Sequence, residues 1–348
     1  MSYGVSLIAA ISIGWASSWT GPRPRRRFSL SQGPGRTTSV EFEDAADIGS
    51  ELNDSGDPPV GEPRDPDSPE RDDGLPRYLS PSSASMFQEC PRRWKHRYID
   101  RLPDPPGEPA LAGTFAHRVL ELLLQERPER RTQDRAKELA RQVWPEMESD
   151  EDFTALRLTE DQSRAFRWRT WLAIEGLWAL ENPSEVVVEA TEQDVRVEIG
   201  GVPFRGIVDR VDVETDGLVI ADYKSGRAPS QRYEEGRLSQ VLLYAAAVAA
   251  LSGIRPARAR LLYLNQRIVE VDVTEDNLAE VTATLQDTWE RLQAACASGE
   301  FEACTGPLCA WCPFLAHCPE GQAEVTARAN EGRVRHDAPG LAIVAKAS

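Results

Sequence analysis

The run "SEVVVEATEQDVRVEI" alternates as a strand does, and "VPFRGIVDRVDV" and the apolar "LVIADYK" follow it as two more strands, from Ser184 to Lys224. A period of two sends every second side chain to one face of a sheet, which no helix can do. The tetrapeptide "ETDG" (214–217) supplies the tight turn between the second run and the third. This block commits the middle of the chain to a β-meander, and whatever flanks it must cover that sheet.

The flanks carry the helical period. "LSPSSASMFQECPRRWKHRYIDRL" (79–102) reads as one helix, with Ser80 as N-cap and Pro81 at the first helical position. Further helices are expected over 111–126, 132–147 and 160–181, then over 234–251 and 275–298. "ARARLLYLN" and "RIVEVDV" between the last two add strands. Helices, a meander, a helix, strands and a helix make an α/β or α+β domain with a central sheet.

Composition decides where that domain starts. Residues 41–73 hold thirteen acids against two arginines and are rich in Pro, Gly and Ser. Such a stretch buries too little apolar surface to fold, so 1–74 is expected to be a disordered, acidic extension. Its start, "SLIAAISIGWASSW", is followed rather than preceded by basic residues and is short for a membrane span. No membrane partner is expected, and a cytoplasmic location is. The folded domain is expected over 75–325, with 326–348 a flexible tail. The net charge of −16 speaks against a general nucleic-acid coat protein but leaves room for a local basic groove.

Asp209 in "GIVDRVD" and Asp222 in "ADYK" fall on strands joined by the ETDG turn, so their carboxylates can approach. Close carboxylates repel unless a cation or proton sits between them, and Mg²⁺ or Mn²⁺ prefers oxygen ligands. Lys224, two residues beyond Asp222, shares its face and could orient a water or offset developing negative charge. The bland alternative is a surface salt bridge. His117 in "GTFAH" could be a polar residue at a core edge, and Gln240 and Tyr244 in "QVLLY" share one helical face and could merely pack.

"GTFAH", "GIVDRVD", "ADYKSG" and "QVLLY", in that order, resemble the PD-(D/E)XK nuclease superfamily, nearest its RecB and AddB nuclease domains and the four-cysteine CRISPR-associated nucleases. The resemblance implies an α/β, restriction-endonuclease-like fold: a central mixed sheet flanked by helices, with a cysteine-cluster loop near the C-terminus. It implies a Mg²⁺- or Mn²⁺-dependent DNA nuclease, a single-strand exonuclease in repair or recombination. It makes His117, Asp209, Asp222 and the carbonyl of Tyr223 metal ligands and Lys224 the catalytic lysine. Gln240 and Tyr244 would organise the site, and Glu189 matches an acid of the preceding strand, unless it is a solvated strand residue. Val208 stands where the superfamily's name has proline.

Of the six cysteines, Cys309, Cys312 and Cys318 form C-x₂-C-x₅-C, far from Cys90 in "ECPRRW". Thiols this close, with no secretion signal, suit a metal site better than disulfides. The resemblance implies a [4Fe-4S] staple on Cys90, Cys309, Cys312 and Cys318, with Zn²⁺ the alternative and Cys304 a substitute ligand. Cys296 reads as a small buried residue of a helix.

"CPRRWKHRYIDR" (90–101) interleaves basic and aromatic residues; Trp94 and Tyr98 read as core, while the arginines face DNA or the cysteines' surroundings. No G-x-x-x-x-G-K-[ST] loop is found, so a helicase partner would be a separate polypeptide. The rival readings are a CRISPR-adaptation-type nuclease and a non-catalytic DNA-binding subunit of a helicase–nuclease complex.

Overall fold

The structure is a computed structural model describing residues 75–230 and 234–347. The acidic extension expected over 1–74 lies outside the described residues.

The first helix expected from sequence is two. Helix α1 (Pro81–Glu89) starts at Ser80, whose hydroxyl accepts the Ser83 N–H. Cys90 then turns extended (φ −164°, ψ 105°), and α2 (Pro91–Tyr98) begins afresh. Pro91 explains the break: proline disfavours helical backbone in the residue before it. Helices α3 (Glu108–Gln125), α4 (Gln133–Glu148), α5 (Glu151–Ala155) and α6 (Glu160–Glu175) follow. Thr159 and Gln162 close a reciprocal capping box on α6. Helix α6 stops at Glu175 and a 3₁₀ turn covers Gly176–Ala179, short of the expected 181. At Gly176 a Cβ would meet the Asn265 backbone nitrogen at 2.4 Å, so only glycine lets the strand connection pass this closely.

Strands β1 (Val188–Ile199), β2 (Val202–Glu214), β3 (Gly217–Lys224), β4 (Arg258–Tyr263) and β5 (Arg267–Asp272) form one sheet in the order β1-β2-β3-β4-β5. Pairing is antiparallel except between β3 and β4, which run parallel. That parallel step needs a crossover, and α7 (Glu234–Ser252) provides it. Helix α8 (Glu275–Ser298) is capped by Thr274 with Asn277 and ends at Gly299 with φ 73°.

Two cores lie on the two faces. One gathers Val241, Tyr244, Val248, Leu285 and Trp289 of α7 and α8 against Phe204, Val208 and Ile220. The other gathers Phe115, Leu120, Leu139 and Phe166 of α3, α4 and α6 against Ala221, Tyr223 and Leu262. Among the described residues no helix is long and apolar enough to cross a membrane.

The chain beyond 325 departs from the expected loose tail. Helix α9 (Pro319–Asn330) continues past it, and α10 (Gly340–Ala347) folds back so that Val344 joins Ala310, Leu315 and Val325 in a third apolar cluster. Six apolar residues in "GLAIVAKA" give α10 a face that gains by burial. A Cβ at Gly340 would stand 2.8 Å from the Ala310 carbonyl oxygen, so the close approach needs glycine there.

Candidate active site

Burial along β2 alternates through Val202, Phe204, Gly206 and Val208, then loses phase: Arg210, Val211 and Asp212 are all buried. The break falls at Asp209, where three strands bring acids into one row. Arg210 pairs with Ala221, so the next residues out are Asp209 and Asp222. On the other side Thr191 pairs with Arg210 and Gln193 with Val208, which sets Glu192 opposite Asp209. Ligand atoms of His117, Glu192 and Asp209 all lie within 4.8 Å of one another.

Glu192 holds the place expected for Glu189, which is exposed on the same strand. The pairing of β1 shifts between Val188 and Ala190, and Glu192 itself has φ 47°. A left-handed glutamate inside a strand costs about 1–3 kcal/mol and persists where the surroundings enforce it. Straight register from Val188 opposite Asp212 would set Glu192 against Val208; the shift moves it to Asp209.

His117 reaches the row from α3. Its Nε2 lies 3.0 Å from the Tyr223 carbonyl oxygen and its Nδ1 3.4 Å from Asp209 Oδ2. The same Asp209 oxygen accepts the Tyr223 N–H at 2.8 Å. The Tyr223 peptide thus touches both residues, one from each end. Lys224 Nζ lies 2.6 Å from Asp222 Oδ2 and donates to Gln240 Oε1 at 3.2 Å. Gln240 is hydrogen-bonded to Tyr244 in turn. The Tyr244 ring lies over Gly206, where a Cβ would come within 2.6 Å of Cε1. The Asp222 carboxylate faces Lys224 and stands outside the His117–Glu192–Asp209 group.

Beneath the row sits a second feature that sequence reasoning passed over. Arg210 is fully buried and forks onto Glu181 at 2.5 and 2.9 Å. It also donates to Asp212 at 3.0 Å and to the Tyr223 hydroxyl at 2.8 Å. Arg210 therefore anchors the side chain of the residue whose peptide holds Asp209 and His117.

The crowding of acids shows in their protonation. Burial, and then Asp209, push the Glu192 carboxyl up to about 7. The same two causes push Asp222 up to about 6. Burial alone would lower His117, but its hydrogen bond to Asp209 and the charges of Asp209, Asp222 and Glu192 carry it up to about 9. All three shifts are upward from 4.5, 3.8 and 6.5, so the folded protein binds protons that the unfolded chain has released. Their stabilisation is full at low pH and fades as pH rises through about 6, 7 and 9 in turn.

Two carboxylates and an imidazole form a donor set that fits a divalent cation, which would replace those protons. Added Mg²⁺ is expected to raise the melting temperature more at about pH 8.5 than at about pH 6, read by scanning calorimetry. Equal gains at the two pH values would rule out proton–metal competition at this row.

The sequence profile of the PD-(D/E)XK nuclease superfamily matches residues 78–319. The chain belongs to the PD-(D/E)XK nuclease superfamily. The mixed five-stranded sheet flanked by helices is the fold expected of this superfamily. A crystal structure from Eubacterium rectale named as a "Putative exonuclease" is similar at 15% identity and TM-score 0.44, covering 66% of this chain and 85% of that one. A search of curated proteins finds no match.

The cysteines gather apart from the row. Cys90 sits between α1 and α2, Cys309 and Cys312 in and after a 3₁₀ turn (Pro307–Trp311), and Cys318 at the N-cap of α9. None is in a disulfide. Backbone N–H groups donate to all four sulfurs: Cys304 to Cys90 at 3.4 Å, Gly306 to Cys309 at 3.4 Å, Gly321 to Cys318 at 3.3 Å, and Phe314 to Cys312. Arg93 lies near Cys312 and Arg92 near Cys318, and both favour thiolate, although burial is the larger effect and raises both thiols. Cys304 is exposed, and Cys296 packs at the edge of the α7–α8 core.

The basic segment 90–101 is largely spoken for. Arg92 pairs with Glu320, Arg93 with Glu89, Lys95 with Asp100, and Arg97 with Asp104. Trp94 is buried and stacks on Phe301 at 6.1 Å, as its reading as core requires.

Proposed function

We propose that this protein is a Mg²⁺- or Mn²⁺-dependent deoxyribonuclease of the RecB/AddB-like branch, acting on single-stranded DNA ends in repair or recombination. The observation that carries the reading is the row Glu192–Asp209–Asp222, with His117 at one side and Lys224 at the other. A divalent cation bound there would polarise a phosphodiester and lower the pKa of water. His117, Glu192 and Asp209 would hold it, with the Tyr223 carbonyl and Asp222 alongside. Asp222 and Gln240 together fix the Lys224 ammonium, so it offsets charge on the scissile phosphate without first reorganising. Tyr244 braces Gln240 from the core side.

Cys90, Cys309, Cys312 and Cys318 would carry a structural four-iron cluster. The N–H donors on all four sulfurs support a thiolate site. Zn²⁺ on the same four thiolates is the alternative. A helicase would be a separate subunit, and reduced thiols suit a cytoplasmic place.

Anaerobic purification should yield iron rather than zinc on metal analysis, with iron lost in Cys312→Ser. The same sample should digest labelled single-stranded DNA with Mg²⁺ or Mn²⁺ and stop in EDTA. Digestion indifferent to EDTA would reject the metal-dependent reading, and stoichiometric zinc would reject the cluster alone.

A further inference from the structure

A chain of net charge −16 with a carboxylate row at its centre repels a polyanionic strand unless cations stand close by. The segment 90–101 does not supply them freely, because Arg92, Arg93, Lys95 and Arg97 are each engaged by a carboxylate. A different group of cations surrounds the end of β3. Helix α7 presents Tyr244, Gln240 and Arg237 at spacings of four and three, along one stripe that runs from the core past Lys224 to solvent. Burial raises the Tyr263 phenol, and Arg237, Lys224 and Arg267 act against it while Asp222 acts with it. Arg227, three residues beyond Lys224, lines an open bay of about 740 Å³ with Ser230, Gln266 and Arg267.

The wall of that bay is braced. Gln266 Oε1 accepts the Ala228 N–H and its Nε2 donates to the Gly226 carbonyl, both at 2.8 Å. Arg267 is consumed by Glu234 and the Pro229 carbonyl. Arg227 and Arg237, both exposed, meet no carboxylate among the described residues.

We propose that Arg227 and Arg237 form a phosphate-holding arc that grips the phosphodiester next to the one being cut. The proposal rests on the nuclease reading above and adds which residues carry the strand. The ligand is the sugar–phosphate backbone, so the contact is independent of base sequence.

The test is fluorescence anisotropy of a labelled single-stranded oligonucleotide in EDTA, across a salt series. Each ion pair to a single strand contributes about 0.7 to the slope of log affinity against log salt. Arg227→Ala and Arg237→Ala should each lower the slope by about that amount and weaken binding about three- to tenfold near 0.1 M salt. Arg227→Lys should keep the slope, because it keeps the charge. Arg97→Ala, which removes a cation already paired with Asp104, should change little. If the wild type binds but Arg227→Ala and Arg237→Ala match it in slope and affinity, the arc is wrong and the nuclease reading stands. A larger loss in Arg97→Ala would also overturn the arc, by returning the strand to α2. A wild type that binds no oligonucleotide at any salt would reject the nuclease reading itself.

Discussion

Asp222→Asn and Lys224→Met are each expected to lower DNA cleavage at least about a hundredfold, with oligonucleotide binding within a few fold of wild type. The lysine variant removes a preset ammonium, and losing one such preorganised donor costs about 3–4 kcal/mol of barrier. The aspartate variant removes the carboxylate that holds Lys224 Nζ at 2.6 Å, and with it a candidate ligand. Because both act on the reacting phosphate rather than on the rest of the strand, kcat should fall and KM should stay. Glu192→Gln should join this class, because Glu192 belongs to the row, while Glu189→Gln should behave as wild type because Glu189 is exposed. Undiminished turnover in Asp222→Asn and Lys224→Met would place the chemistry elsewhere on the protein.

Arg210→Met is expected to cost about 3–5 kcal/mol of stability, measured by urea denaturation, the usual consequence of removing one partner from a buried charge group. The variant leaves Glu181 and Asp212 facing each other without their shared cation, and frees the Tyr223 hydroxyl. Arg210→Lys should recover only part of the loss, since an ammonium cannot reproduce the fork onto Glu181. Burial pushes Asp212 up to about 6 even with Arg210 pulling it down. Removing the arginine should push it higher, so the variant's deficit should shrink as pH falls toward about 6, where protonation in the variant relieves the stranded charge, and level off below that. A deficit under about 1 kcal/mol, unchanged with pH, would mean that the group contributes little.

The same variant separates folding from positioning. Arg210 touches no candidate ligand atom, yet it holds the Tyr223 side chain while the Tyr223 peptide contacts Asp209 and His117. Weaker Mg²⁺ binding in the fraction that remains folded would mark Arg210 as a positioning residue. Unchanged Mg²⁺ affinity would confine it to stability.

Much of this protein is written locally. The strand runs over 184–224 and the ETDG turn put Asp209 and Asp222 on neighbouring strands, because a hairpin's register follows from its turn and its apolar face. Lys224 follows Asp222 on the same face for the same reason, and Gln240 and Tyr244 share a face because helices repeat every 3.6 residues. What depended on distant contacts was not legible. Glu189 was matched by resemblance alone; a register shift and a left-handed residue bring Glu192 of the same strand to Asp209 instead. Arg210 drew no notice in the sequence; only the fold brings Glu181, just past the 3₁₀ turn after α6, against it inside the protein. The arginines of α2 looked available for DNA until folding brought Glu320 and other acids against them. Periodicity and turn chemistry act between neighbours, so one chain read alone contains them. Which charge neutralises which is decided by packing across the sheet, and only the tertiary structure records that.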